Sequence, residues 1–433
     1  VTQPTYDRPV AAPWPPLRQA PAAPVRHALS LTETIALSLA VMMLLVFSQG
    51  WQFPLTGDAT NADSMLLRVG ILPAYAAAVL MLLMSPFSAV KATLRQPFLI
   101  ALMGVVCASY FWSIAPDQTA RRAFAVLCTT LGGVVIASRF RWAQIAEVTA
   151  IAFAILAVLS LLVCLAAPRI GVMTEIFPGA WRGLWIEKNV LGGIMALGFS
   201  IFAAAAILNP RRAVIWCGFA VLALFLVLMS QSKTSLVSLL LGAMAMAFIW
   251  IVQRGPALGV ASVWLAVSAC ALVGAFIFFA SDIFFDLLGK DATLTGRTEI
   301  WTAIIRQIEQ RPWTGYGYQA VWTDKSGRGP FAWIVKEAGF TPQHAHNSWL
   351  EQWLGLGLIG LAAWGLFYLQ TMMTAILAIF RHRGAYLVFP FLLIFSLITM
   401  TESIAVTFND FRWTLFVAFA VKLAYPGPDR QAA

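Results

Sequence analysis

The chain has 433 residues, 60% hydrophobic and 11% charged, with a mean hydropathy of +0.79 and a formal net charge of +10. That length would suit two or three soluble domains, but so little charge among so much apolar side chain excludes a soluble protein. Nor does the positive charge imply nucleic acid as a partner, because the Lys and Arg residues are dispersed over many segments with no aromatic-interleaved patch.

Repeated Pro and Ala over the first 28 residues predict a disordered segment, and residues 1–33 are read as a cytoplasmic tail. It has no signal-peptide pattern, so the first apolar run would serve as an uncleaved insertion signal. Twelve apolar runs follow, at about 34–53, 68–85, 97–113, 121–138, 144–167, 190–208, 213–230, 234–252, 258–280, 348–379, 385–401 and 411–425. Runs of this kind can cross about 30 Å of hydrocarbon as helices, and they are continuous rather than alternating, which excludes a barrel. The expected fold is an all-α polytopic membrane helical bundle of about twelve transmembrane helices. Nine of them fill 34–280, a periplasmic loop domain fills 281–347, three more helices fill 348–425, and 426–433 is a second cytoplasmic tail. No internal repeat is visible.

Cations in short loops set the orientation. With the N-terminus inside, Lys91, Arg95, Arg139, Arg141, Arg211, Arg212, Arg254, Arg381 and Arg383 all fall in internal loops. The outer loops 54–67, with Asp58 and Asp63, and 401–410, with Glu402 and Asp410, are neutral or acidic. Both termini are then cytoplasmic. Arg121, Arg122, Arg169, Arg182, Lys188, Lys233 and Arg297 break the rule by lying outside, either as headgroup anchors or as partners of an anion. Cys107, Cys128, Cys164, Cys217 and Cys270 fall at irregular spacing inside the expected spans and read as small buried hydrophobes.

Two outer loops are long enough to carry function, about 168–189 and about 281–347. The first holds Trp181-Arg182-Gly183-Leu184-Trp185 and then Glu187-Lys188-Asn189. In the second, Gly296-Arg297 opens an amphipathic helix that Pro312 ends, and Arg297 shares its buried face with Trp301, Ile304 and Ile308. A guanidinium there needs an anion: a phosphate or carboxylate ligand, or structurally Asp291, Glu299 or a backbone carbonyl. Gly315-Tyr316-Gly317 reads as a tight turn.

His344-Ala345-His346-Asn347 then meets Ser348-Trp349-Leu350-Glu351, which reads as a capping box with Ser348 as N-cap and Glu351 reaching back. The positive end of that helix would favour anions and keep a nearby imidazole neutral, able to accept a proton from a hydroxyl. A zinc site on His344 and His346 is rejected, because His27 and His382 are cytoplasmic by this topology and every cysteine lies within a span. No outer Asp-x-Asp pair is present to hold a divalent ion, so no metal and no cofactor is expected.

These blocks resemble the O-antigen ligase and Wzy-type polysaccharide polymerase superfamily. The likeness rests on Trp181-Arg182-Gly183 with Lys188-Asn189-Val190-Leu191-Gly192, and on Ser232-Lys233-Thr234-Ser235. It continues through Arg297 to Trp301 with Pro312 to Gly317, and through His344 to Asn347 leading to Gly355-Leu356-Gly357-Leu358-Ile359-Gly360. The Lys188-Asn189 block looks most like the succinoglycan-type exopolysaccharide polymerase branch. The resemblance implies a bacterial inner-membrane glycosyltransferase, working on the periplasmic face without a metal. It would take a polyprenyl-diphosphate-linked oligosaccharide donor and pass the glycan to a glycan or lipid A core acceptor. Flippase and chain-length regulator proteins are implied as partners beside the lipid bilayer. By the same resemblance Arg297 and Arg182 hold the diphosphate and His346, with His344 competing, engages the acceptor. Arg122, Lys188, Asn189, Lys233, Asn347 and Glu351 complete the candidate substrate site. An O-antigen ligase and a lipid-linked oligosaccharide transporter are the alternatives to a polymerase.

Overall fold

Backbone polar groups in hydrocarbon must be satisfied within their own segment, so apolar runs become helices and the breaks between them become helix ends. In the computed structural model, which describes residues 30–57, 65–175, 177–279, 297–324 and 326–427, these are α1 (Leu31–Phe47), α2 (Met65–Met84), α3 (Pro86–Thr93), α4 (Pro97–Ala108) and α5 (Pro116–Arg139). They continue as α6 (Trp142–Ala166), α7 (Lys188–Leu208), α8 (Ala213–Met229), α9 (Lys233–Val252) and α10 (Pro256–Phe279). The last are α11 (Arg297–Gln310), α12 (Pro330–Ala338), α13 (Ser348–Ile379), α14 (Ala385–Thr399) and α15 (Phe411–Ala424). Proline starts α3, α4, α5, α10 and α12, at the first helical position, where its missing N–H costs nothing.

The chain is a multi-pass, all-α membrane protein, but the expectation of twelve spans is wrong. Among the described residues seven helices are long and apolar enough to cross a membrane, or eight if the pair Pro86–Thr93 and Pro97–Trp112, bent by 91°, counts as one span. Length explains the shortfall. The expected span 97–113 is one limb of that bent pair, α1, α14 and α15 have only 17, 15 and 14 residues, and of the expected span 258–280 only Pro256–Ala269 enters the count, as a shorter apolar helix. At about 1.5 Å per residue, a helix of that length reaches roughly 21–26 Å, short of the hydrocarbon thickness. The expected tails up to residue 29, Asp58 and Asp63, and the stretch 280–296 with Asp291 and Gly296 lie outside the described residues.

α7 sits at the centre, against α6, α8, α9 and α14, while α15 packs on α5 and α13 on α4 and α14. The core where α13, α14 and α15 meet is aromatic: Trp364, Phe367, Phe391, Phe395, Trp413 and Phe416 are each under 2% exposed. Cys107, Cys128, Cys164 and Cys217 are free thiols. A second, smaller cluster joins the amphipathic face of α11 to the rest, through Ile300, Ala303, Ile304, Ile308, Tyr316, Ile334 and Leu354.

α13 is broken near its start. Gly357 has φ 67° and ψ −170°, which frees backbone groups that the segment just after α11 satisfies. Leu358 N–H donates to Pro312 O (2.8 Å) and Ile359 N–H to Trp313 O (3.3 Å), while Tyr316 and Gly317 N–H donate to Leu354 O (3.1 Å) and Gly355 O (2.8 Å). The close approach explains the glycine turn: a Cβ on Gly315 would sit 2.6 Å from Leu354 O, and Gly315 and Gly317 both have positive φ.

Candidate functional site

The N-terminal ends of α7, α9 and α11 and the C-terminal end of α14 open on one cavity of about 490 Å3. Lys188, Asn189, Lys233, Arg297, His344, Glu402 and Arg412 line it, with Ser232, Thr234 and Ser235. α7 and α9 each begin on a lysine, so two positive helix ends and two ammonium groups face the same space. Ser232 caps α9 by accepting from Ser235 N–H, and its hydroxyl donates to Asn189 Oδ1 (2.9 Å), which holds the two helix starts together.

The far wall is the 401–410 loop. Read from sequence as a plain outer connector, it is largely buried, with Ile404, Ala405 and Val406 at 1% exposure or less. Ser348 Oγ donates to Glu402 O (2.7 Å) and accepts from Ile404 N–H (2.9 Å) and Ala405 N–H (3.1 Å). Tyr318 OH donates to Val406 O (2.6 Å). These bonds hold Val406 at φ 52° and Asn409 at φ 57°, conformations that a β-branched residue in particular resists. The N-cap of α13 differs from expectation for the same reason. With the Ser348 hydroxyl committed to the loop, Asn347 caps the helix, its Oδ1 accepting from Trp349 N–H (2.9 Å) and Leu350 N–H (3.2 Å). Glu351 does not complete a capping box; it is buried and accepts from Ala345 N–H (2.9 Å), Ser403 Oγ (3.1 Å) and the Trp322 indole.

Ala345 is thus pinned at both ends, since its carbonyl also accepts from Trp301 Nε1 (2.9 Å). The histidines on either side are fixed by it. His346 takes the left-handed conformation (φ 49°), and its N–H donates to His344 Nδ1 (3.2 Å) with the two ring centres 4.0 Å apart. Glu402 joins this pair to the arginine: Arg297 Nη2 donates to Oε1 (2.9 Å), and His346 Nδ1 lies 3.1 Å from Oε2. Arg297 therefore does share the buried face of α11, but its partner is Glu402 rather than Glu299, across more than a hundred residues.

The charges follow from this packing. Burial alone would raise the Glu402 carboxyl, yet the hydrogen bond and charge of His346, with Arg297, hold it below the ordinary carboxylate value. Burial, helped by His346, pushes His344 down to about 4, so it is neutral near pH 7. Burial and the nearby Glu402 raise Glu187, the residue before α7. An ionised Glu402 can only accept, so the neutral form of His346 carries its proton on Nδ1 and leaves the Nε2 lone pair open. His344 has the opposite form: its Nδ1 accepts, so Nε2–H is a donor, and His344 lines the cavity.

His344, His346 and Glu402 each offer a ligand atom within 4.8 Å of the others, a donor set that the argument against zinc overlooked by counting only His and Cys. It fits a cation poorly as it stands, because both Glu402 oxygens are already engaged and one of them faces the Arg297 guanidinium.

Arg182 and Arg122 lie apart from the lining. Arg182 spends its fork on backbone, Nε to Ile170 O (2.7 Å) and Nη2 to Arg169 O (3.2 Å), and stacks on Phe53 (4.5 Å). Arg122 Nη1 donates to Gln319 O (2.5 Å) beside the Phe408 ring. Lys188 Nζ reaches Gln231 O (3.4 Å) and sits over Phe177 (3.6 Å). Sequence reasoning missed Glu402 and Arg412, which is clamped by Asp410. The only signal was two acids in a short polar break between apolar runs.

Residues 218–365 match the family model described as O-antigen ligase. The chain is also 34% identical over 194 residues to the exopolysaccharide production protein ExoQ of Rhizobium meliloti (strain 1021), a match covering 41% of this chain and 43% of that protein. The family match takes in Lys233, Arg297 and both motif histidines and stops short of Glu402. The segment that holds the histidine motif, its arginine and the Lys233 helix start is thus similar to the O-antigen ligase family, and the chain, which spans less than half the length of its curated relative, is similar in part to an exopolysaccharide production protein.

Proposed function

We propose that the protein polymerises polyprenyl-diphosphate-linked oligosaccharide repeat units into exopolysaccharide on the periplasmic face of the inner membrane. One observation carries this reading: Lys188, Lys233, Arg297, His344 and Glu402 share a cavity at the ends of membrane helices, where a lipid-anchored diphosphate would arrive. The two lysines and the starts of α7 and α9 take the diphosphate, and His344 Nε2–H donates to it. The acceptor hydroxyl gives its proton to His346 Nε2 as its oxygen bonds to the anomeric carbon. The bond from that carbon to the diphosphate oxygen breaks, and the diphosphate leaves with the electron pair. Glu402 holds His346 in the basic tautomer and stabilises the imidazolium that forms. In this scheme Arg297 fixes Glu402, while Arg182, Arg122, Asn347 and Glu351 hold the backbone of the surrounding segments, and no step requires a metal.

Charge supports the periplasmic face. Asn209 bonding to Ala143, Trp142 stacking on His382, and Gln253 bonding to Ile379 bring Arg139, Arg141, Arg211, Arg212, Arg254, Arg381 and Arg383 to the end opposite the cavity. That belt is the cytoplasmic side by the positive-inside rule. A ligase using a lipid A core acceptor is the second reading, favoured by the description of the matching family. Purified protein in proteoliposomes, given lipid-linked repeats alone, should yield a ladder of longer products that His346→Ala abolishes. Turnover only when a lipid A core acceptor is added would establish the ligase, and unchanged laddering by a folded His346→Ala would overturn the site.

A further inference from the structure

At the end of the bundle away from this cavity, α10 leans off its neighbours. Its main contact is α9, and Pro256, Leu258, Val260 and Trp264 are exposed. The space between the start of α10 and the end of α13 is a cleft of about 720 Å3, walled by Val252, Val263, Trp264, Ile379 and Phe380, with Arg381 and Arg383 among its lining. Gln253 Nε2 bonds to Ile379 O (2.9 Å) at its base, and Arg254 lies next along the chain, stacked on Trp250 at 3.9 Å.

The charge there is unbalanced. The chain has no Asp or Glu between Glu187 and Asp282, or between Glu351 and Glu402. Among the described residues no ion pair involves Arg254, Arg381 or Arg383. Helix ends do not supply the missing anion. The C-terminal ends of α9 and α13 each offer about half a negative charge, and the N-terminal ends of α10 and α14 beside them cancel it. Among the described residues, Arg381 and Arg383 in the cleft lining and Arg254 beside it have no carboxylate in an ion pair with them.

We infer that this cleft binds an anionic phospholipid, with an acyl chain between α10 and α13 and the phosphodiester on Arg254, Arg381 and Arg383. An apolar wall alone would take any lipid and surface arginines alone any anion; the two together select a molecule with both parts. The assignment is independent of the proposed reaction.

The test is native mass spectrometry of the full chain, with thermal stability read in parallel. The probes are phosphatidylglycerol, phosphatidylcholine, and soluble glycerophosphoglycerol as the headgroup without chains. The expected result is phosphatidylglycerol held about tenfold or more tighter than phosphatidylcholine, with no stabilisation by the soluble headgroup. Arg254→Gln/Arg381→Gln/Arg383→Gln should remove the preference. Gly259→Leu, which fills the cleft and leaves every charge in place, should weaken retention of phosphatidylglycerol. Arg139→Gln/Arg141→Gln, at the same end, should change neither. Equal retention of both lipids by the parent protein, undiminished binding in the triple variant or in Gly259→Leu, or full stabilisation by the soluble headgroup would each overturn the inference.

Discussion

Replacing Glu402 by Gln tests whether the carboxylate makes His346 a base. The substitution keeps the shape and one carbonyl oxygen, and removes the charge that Arg297 and His346 share at 2.9 and 3.1 Å. A unit pair about 4 Å apart interacts by about 4 kcal/mol at an effective dielectric near 20. Arg297 and Glu402 are still 17% and 22% exposed, so screening by solvent reduces the stability loss to about 1–2 kcal/mol. The kinetic effect is larger. The new amide N–H₂ can donate to His346 Nδ1, which moves the ring proton to Nε2 and removes the base. General-base catalysis is worth about 10²–10⁴ in rate, and a loss of that size is expected in kcat with a small change in KM. The assay is laddering of lipid-linked repeats in proteoliposomes, beside a melting curve in detergent. The parent enzyme should also lose activity in acid, as pH falls through the depressed Glu402 value, whereas Glu402→Gln has no carboxylate to titrate. A folded Glu402→Gln with parental kcat and acid limb, in a background where His346→Ala is dead, would refute the reasoning.

His344, at about 4 in the folded chain against an ordinary value of 6.5, favours folding while both states are neutral, above pH 6.5. Between pH 6.5 and 4 the unfolded chain takes up the proton first, so up to about 3 kcal/mol is lost across that window, and His344→Gln should flatten the slope in denaturant titrations. Lys188→Gln with Lys233→Gln should raise KM for the lipid-linked donor roughly tenfold or more, with a smaller change in kcat; an unaltered KM would move the diphosphate elsewhere. Gly357→Ala should cost about 2–4 kcal/mol, since a Cβ there meets Trp313 C and O at 2.2 Å from a residue at φ +67°, and a melting temperature within a degree of the parent would contradict this.

The sequence made the helical membrane class legible through unbroken apolar runs, and the lysines, Arg297 and the histidine motif through cations and histidines placed against the topological trend. It hid the number of spans because hydropathy is blind to a chain reversal. The runs on both sides of Gln96 look alike whether the chain continues or bends by 91°. Glu402 stayed hidden for another reason. Its partners lie 105 and 56 residues away, and only the buried course of the 401–410 loop under Ser348 carries it to them. The Ser348 capping box failed in the same place, because a serine that two loop amides occupy cannot also cap its helix.

The break at Gly357 couples assembly to competence. As α13 enters the bilayer, the N–H groups of Leu358 and Ile359 have no acceptor inside their own helix, and the carbonyls that take them belong to Pro312 and Trp313. The same short stretch of α13 starts at Ser348, directly after the histidine motif whose Asn347 caps it. A chain whose 312–317 segment has not yet docked leaves the motif without a fixed seat. If the proposed transfer is the reaction, docking of the 312–317 segment is then a precondition for it.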